Sequence, residues 1–280
     1  MGLARRVNVW SIGVALLLYG AILVWFRANE RRLIFFPEAG PVGLPGPASG
    51  LVARRITIAT PDHLRLVGWS VAPPPGDPHG RWVLILHGNA GNIATPGRIE
   101  HNRQLYGLGL GVVTFDYRGY GESEGTPTES GLYTDARAAY DFLRDSLGAP
   151  ASRIVIYGHS LGSAVAIELA STVAAGGLIV EGGFTSLPDL GAEIYPWLPV
   201  RALARSRFAA LDRIGGVRMP ILCIHGRDDT TIPIAQGRRL FAGAPDPKEF
   251  LEVAGGHDDA YELGRAEYEM GIRRFLERLP

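Results

Sequence analysis

Ser160 lies in Gly158-His159-Ser160-Leu161-Gly162, after the run Arg-Ile-Val-Ile-Tyr and before Ser-Ala-Val-Ala-Ile-Glu-Leu-Ala. That context reads as strand, sharp turn, helix. The glycines let two backbone segments approach closely, and the serine hydroxyl is placed at the positive end of a helix dipole. The same G-x-S-x-G pattern recurs at Gly121-Glu122-Ser123-Glu124-Gly125, inside the turn-rich stretch Tyr-Arg-Gly-Tyr-Gly-Glu-Ser-Glu-Gly-Thr-Pro-Thr. No helix follows until about Glu129, so Ser123 reads as a loop residue and Ser160 as the nucleophile.

A serine hydroxyl is a weak nucleophile without a base. Of seven histidines, His257 is the best placed, in Ala-Gly-Gly-His-Asp-Asp-Ala between the last strand and the last helix. His159 adjoins Ser160, but its side chain is expected to diverge from the turn and to shape or pack it. His87 and His225 each close an apolar strand as His-Gly and read as structural. His63, His79 and His101 sit in polar surroundings and read as surface residues. The base in turn needs a carboxylate to orient it. Asp228 and Asp229, in His-Gly-Arg-Asp-Asp-Thr-Thr-Ile-Pro, both have suitable spacing. Together these residues describe nucleophilic acyl transfer, with no metal and no organic cofactor indicated.

The elements that must position them follow from patterning. Residues 54–60 and 64–71 read as a β-pair. The short, fully apolar run at 82–86 reads as a buried strand, and the runs at 111–115, 153–157, 178–180, 221–224 and 250–253 look alike. Helical stretches intervene near 97–106, 129–147, 161–174, 234–242 and 262–278. Alternation of this kind predicts an α/β fold, a mostly parallel, doubly wound sheet of about eight strands with ligands beyond the carboxyl ends of the strands. Residues 182–219 carry Phe184, Tyr195, Trp197, Leu198 and Phe208 and are expected to form a small cap, either as an apolar acyl-binding wall or as ordinary packing.

The chain has 280 residues, with 28 basic and 28 acidic side chains. That balance excludes a polybasic nucleic-acid binder and an acidic disordered tail. One cysteine, Cys223, excludes an internal disulfide framework and a thiolate zinc cluster. Twenty-seven of the basic residues are arginine, which reads as high-GC coding. The balance also hides a split. Residues 1–32 hold five arginines and one glutamate, whereas residues 33–280 hold 23 basic and 27 acidic residues. Between Arg6 and Arg27 lie 20 uncharged residues, 7–26, enough for a helix of roughly 30 Å, the thickness of a bilayer core. A cleaved signal peptide is the alternative, but the run is long for one and no small-x-small site follows it. Residues 1–32 are therefore expected to be a single-pass membrane anchor, with the bacterial inner membrane as the expected location. Residues 33–51, rich in proline and glycine, are expected to be a linker, and residues 52–280 the catalytic domain.

Five blocks in this order resemble serine hydrolases of the α/β-hydrolase superfamily: His87-Gly-Asn-Ala-Gly-Asn92, Asp116-Tyr-Arg-Gly-Tyr-Gly-Glu-Ser-Glu-Gly125, Gly158-His-Ser-Leu-Gly162, His225-Gly-Arg-Asp-Asp229 and Gly256-His257. The chain order Ser, Asp, His is that superfamily's order. The anchor followed by Leu33-Ile-Phe-Phe-Pro37 is similar to a membrane-anchored group described as serine aminopeptidase-like or esterase-like. The resemblance implies Asp229 as the acid, from the pattern H-G-x-x-D, and the amides of Leu161 and Asn89 as the oxyanion hole. The block at 116–125 itself reads as a scaffold loop bordering the site, with Arg118 expected to pair a carboxylate. The expected activity is hydrolysis of acyl esters, small or lipid-like. The alternatives are a peptidase, which would need carboxylates such as Glu122, Glu124, Glu181 or Glu193 near the site, and a non-catalytic binding module on the same fold.

Overall fold

The structure is a computed structural model that describes residues 9–76 and 79–280; residues 1–8 of the expected anchor lie outside the described residues. In chain order the strands are β1 (Phe36–Pro37), β2 (Arg54–Ala59), β3 (Arg65–Val71), β4 (Trp82–Leu86), β5 (Ala90–Gly91), β6 (Gly111–Phe115), β7 (Ile154–His159), β8 (Gly177–Glu181), β9 (Ile221–Gly226) and β10 (Lys248–Val253). The α-helices are α1 (Val9–Ile34), α2 (Pro96–Gly107), α3 (Glu129–Asp145), α4 (Leu161–Thr172), α5 (Leu187–Ile194), α6 (Val200–Leu203), α7 (Ala210–Ile214), α8 (Ile234–Gly243), α9 (Ala260–Leu263) and α10 (Arg265–Glu277).

Eight strands form one sheet in the order β10-β9-β8-β7-β4-β6-β3-β2. It is parallel from β10 to β6; β3 runs antiparallel to both β6 and β2. The apolar runs of β4, β6, β7, β8 and β9 lie inside it because both faces there are covered, whereas β10 is a half-buried edge strand. On one face Leu84, Val113, Ile156 and Val180 pack against α3 and α4; on the other Val83, Val112, Val155 and Ile179 pack with Leu105, Tyr268 and Ile272 of α2 and α10. β2 keeps an alternating pattern, Ile56 and Ile58 inward, as an edge strand with one wet face does.

Helix α1 is long and apolar enough to cross a membrane over Trp10–Ile34, and no residue of its most apolar window is buried. Its last residue and the next, Ile34 and Phe35, are buried in the main core. The expected linker is thus not a free one. Phe36 and Pro37 pair in parallel with Ala90 and Gly91, and Val42 and Leu51 are buried. Burial of single apolar side chains outweighs the turn-forming composition there. Within residues 182–219, Phe184, Leu190 of α5, Phe208, Ile214, Val217 and Met219 are all buried in the main core, so only the stretch around α6 stands apart from it.

Candidate functional site

β7 ends and α4 begins at Ser160, which takes φ 54°, ψ −123°. A non-glycine residue held in the left-handed half of backbone space is strained, and such strain persists only where surrounding packing fixes it. Here the turn is fixed on both sides. Ser160 N donates to Glu181 O at 3.0 Å, and Ser163 N donates to Ser160 O at 2.9 Å. A Cβ on Gly162 would collide with Leu86 O, and one on Gly158 with Gly162 O; both positions require glycine for close approach.

The loops after β9 and β10 bring the other two groups. His257 Nε2 lies 2.7 Å from Ser160 Oγ, and His257 Nδ1 lies 2.7 Å from Asp229 Oδ2. The second contact puts the ring proton on Nδ1 and leaves Nε2 free to accept from the serine hydroxyl. Asp229 Oδ1 accepts from Thr231 N at 2.9 Å and Ile232 N at 2.7 Å. Burial works against the Asp229 charge, but hydrogen bonds from His225, His257 and the Ile232 amide outweigh it, and its carboxyl is held well below the usual range. Burial also lowers the His257 pKa, but the hydrogen bond to Asp229 and the charges of Asp229, Asp258 and Glu181 raise it further, for a net upward shift. Asp228 makes no such contact; its amide donates to Gly255 O. Gly182, with φ +55°, leaves room for the His257 ring.

The loop after β4 faces the serine. Gly88 O accepts from Arg98 Nη2 at 3.3 Å and lies 2.7 Å from His87 Nδ1. Because the C=O and N–H of one peptide point in opposite directions, the Asn89 N–H is turned away from Arg98. Neither Asn89 N nor Leu161 N has a hydrogen-bond acceptor among the described residues. Asn89 itself is held from the N-terminal side: its O accepts from Phe36 N at 2.9 Å and from Tyr120 OH at 2.7 Å, and its Nδ2 donates to Ile34 O at 3.0 Å.

These groups line a cleft of about 490 Å³ with Phe184, Leu187, Leu190 and Ile194 on its apolar side, within the size range of small-molecule sites. Of the five apolar residues expected in the cap wall, only Phe184 lines it. Phe208 is buried against Phe35 and Tyr133, at ring separations of 6.2 and 5.9 Å, Leu198 is buried, and Tyr195 and Trp197 are exposed.

The remaining histidines divide. His87 and His225 are buried structural residues: His225 Nε2 lies 2.8 Å from Ile232 O, beneath Gly237 of α8. His159 does not diverge from the site. It lines the cleft, and its Nε2 bonds His257 O at 2.9 Å, so it braces the His257 backbone. Burial lowers its pKa to about 4, with the nearby His257 adding to the shift. His101, expected at the surface, is buried and bonds Tyr268 OH at 2.8 Å; α2 turns a polar face inward because α10 supplies the hydroxyl. Arg118 pairs with Asp135 at 2.7 Å and Asp62 at 2.8 Å, and burial outweighs the pairing to raise the Asp135 pKa.

One cleft residue has little signal in the sequence. Glu181 closes β8, lines the cleft and is fully enclosed; burial raises its carboxyl pKa to about 7. It bonds the hydroxyls of Tyr157 and Tyr268, the latter at 2.8 Å. Glu122, Glu124 and Glu193 instead pair with Arg55, Arg65 and Arg239 away from the cleft. His159, His257 and Asp258 have donor atoms within 4.8 Å of one another, but both His257 nitrogens are already engaged by Ser160 and Asp229.

A family model described as alpha/beta hydrolase family matches residues 83–263. An uncharacterized protein of Mycobacterium tuberculosis is 40% identical over 278 residues, covering 99% of this chain and 97% of that one. Lysophosphatidylserine lipase ABHD12 of Danio rerio is 34% identical over 184 residues, 59% of this chain and 48% of that protein. Among solved structures, an esterase of Pyrococcus furiosus superposes with a TM-score of 0.72 at 21% identity, covering 87% of this chain and 99% of that one. The sheet order, the turn at Ser160 and these matches agree, and the chain belongs to the alpha/beta hydrolase family.

Proposed function

We propose that the protein is a membrane-anchored serine hydrolase that cleaves carboxylic acyl esters of lipid-like substrates. The observation that carries this reading is the hydrogen-bonded line from Asp229 through His257 to Ser160, 2.7 Å at each step, opening onto a cleft with an apolar wall. In the mechanism, His257 Nε2 takes the Ser160 proton as Oγ attacks the ester carbonyl. Asp229 holds the imidazole in the required tautomer and stabilises its cation. The amides of Asn89 and Leu161 receive the developing oxyanion, and donors of this kind contribute about 2.7–4 kcal/mol each. His257 then protonates the leaving alcohol, and water attacks the acyl-enzyme with His257 again as base.

The anchor reading is supported by α1 and by the docking of its carboxyl end. Glu30, Ile34 and Phe35 are buried against the catalytic domain, an arrangement that a discarded leader does not need. The lipid-like substrate is supported by Phe184, Leu187, Leu190 and Ile194, and by the similarity to a lysophosphatidylserine lipase. A peptidase reading is not favoured: of the four candidate glutamates only Glu181 lines the cleft, and two tyrosine hydroxyls already occupy its carboxyl. The test is labelling by a fluorophosphonate probe alongside turnover of acyl esters. Wild type is expected to label and to hydrolyse them, and Ser160→Ala to do neither. Equal labelling of the two proteins removes the nucleophile assignment; labelling without ester turnover removes the substrate class.

A further inference from the structure

The cap lies along the membrane-crossing candidate. Tyr19 of α1 donates its hydroxyl to Trp197 O at 3.0 Å, and Arg27 Nη1 donates to Leu203 O at 2.7 Å. Glu30 Oε1 then accepts from Arg205 N at 2.7 Å and Ser206 N at 2.8 Å. The cap segment therefore tracks α1 from Tyr19 to Glu30. At 1.5 Å per residue, Tyr19 lies about 12 Å along the helix from Arg27, within the apolar run.

The two segments change polarity at the same level. α1 carries no charge in the described residues before Arg27, and Arg31 and Arg32 come after it. Residues 194–200 of the cap, Ile-Tyr-Pro-Trp-Leu-Pro-Val, carry no charge either, and Arg201, Arg205 and Arg207 come next. One side of this uncharged stretch is exposed: Ile194, Tyr195 and Trp197 are 48%, 46% and 59% exposed, whereas Leu198 and Val200 are buried. Ile194 also lines the cleft that holds Ser160. An exposed apolar patch needs a partner. Tyrosine and tryptophan beside a spanning helix, with arginines beyond them, match the layering of hydrocarbon, interface and anionic headgroups.

We propose that residues 194–200 enter the same lipid leaflet as α1, so that the mouth of the cleft opens toward the bilayer and receives its ester from the membrane. This rests on the reading of α1 as a membrane anchor. Tyr195 and Trp197 sit in the interface, and Arg201, Arg205 and Arg207 lie at the headgroups.

The test uses the full chain in phosphatidylcholine–phosphatidylglycerol vesicles. Trp197→Cys is labelled with an environment-sensitive fluorophore; the native Cys223 is buried. Ser152→Cys, at the other end of β7 from Ser160, serves as the control. Lipids brominated on their acyl chains are expected to quench the label at 197 and not at 152; equal quenching, or none at 197, overturns the proposal. In the second measurement, the double variant Tyr195→Glu, Trp197→Glu is expected to lose about tenfold or more in kcat/KM on a long-chain ester carried in the vesicles. Its rate on soluble p-nitrophenyl acetate is expected to stay within about twofold. Equal retention of both activities, or equal loss of both, overturns membrane delivery. Flotation of wild type with vesicles tests α1 separately, and failure there removes the anchor and this proposal together. Failure of wild type to turn over either ester removes the proposed hydrolysis and leaves the quenching result standing.

Discussion

Two G-x-S-x-G sequences in this chain meet opposite fates. Ser160 takes a strained backbone at the β7–α4 turn, with its hydroxyl 2.7 Å from an imidazole. Ser123 is buried in a loop, where its hydroxyl accepts from Val67 N at 2.9 Å and donates to Asp116 O at 2.6 Å. The first hydroxyl is presented to a cleft; the second is consumed in stitching β3 to the loop after β6. The shared pattern thus encodes nothing by itself. What separates the copies is the apolar strand before and the helix after Ser160, which place the hydroxyl at the carboxyl edge of a parallel sheet.

This contrast can be broken most directly by exchanging function for stability. Ser160→Ala is expected to lower kcat on an acyl ester by on the order of 10⁴–10⁶-fold, as removal of a nucleophile that acts in concert with its base does. Its melting temperature should change little, measured by thermal scanning. Asp229→Asn should come next, with a loss on the order of 10⁴, while Asp228→Asn should keep most activity; the reverse order in steady-state kinetics would reassign the acid. A smaller effect concerns pH. In the proposed mechanism His257 must be neutral to accept the serine proton. Because the net shift of His257 is upward, kcat/KM should rise with pH through a midpoint above the ordinary imidazole value of about 6.5. Asp229→Asn removes the main group that raises it, so the midpoint of the residual activity should move down. The smallest effect on catalysis belongs to Ser123→Ala: turnover should stay near wild type, while denaturant unfolding should show a loss of about 1–3 kcal/mol from the orphaned Val67 amide.

The sheet was legible in the sequence because its central strands are apolar on both faces, which leaves a local pattern in runs such as Val83–Leu86 and Val112–Val113. Ser160 and Asp229 were legible as candidates because each comes after such a run, and His257 because its glycine-rich loop follows the last strand, β10; the parallel sheet brings the ends of these strands to one edge. Other features leave no local trace. His101 is buried through a bond to Tyr268, 167 positions away, and nothing in the polar sequence of α2 announces it. Glu181 ends an apolar strand, but its enclosure depends on Tyr157 and Tyr268. Residues 36 and 37 form a strand too short to show a period, so composition alone made that stretch look like a free linker. The cap stays open in the sequence for a related reason: aromatic content does not say which rings face the cleft and which face outward.

The pairing of Phe36–Pro37 with Ala90–Gly91 has a practical meaning for handling the protein. The chain leaving α1 forms one side of a two-strand clasp, and the other side belongs to the loop that carries the Asn89 amide. A shortened chain that begins between Phe26 and Glu30 would keep this clasp while shedding the apolar helix. One that begins after Pro37 would shed the clasp as well, leaving the Asn89 carbonyl with Tyr120 alone and its side-chain amide without Ile34. The boundary between a soluble enzyme and a crippled one therefore falls within about ten residues, and solubility by itself would not reveal on which side a given truncation lies.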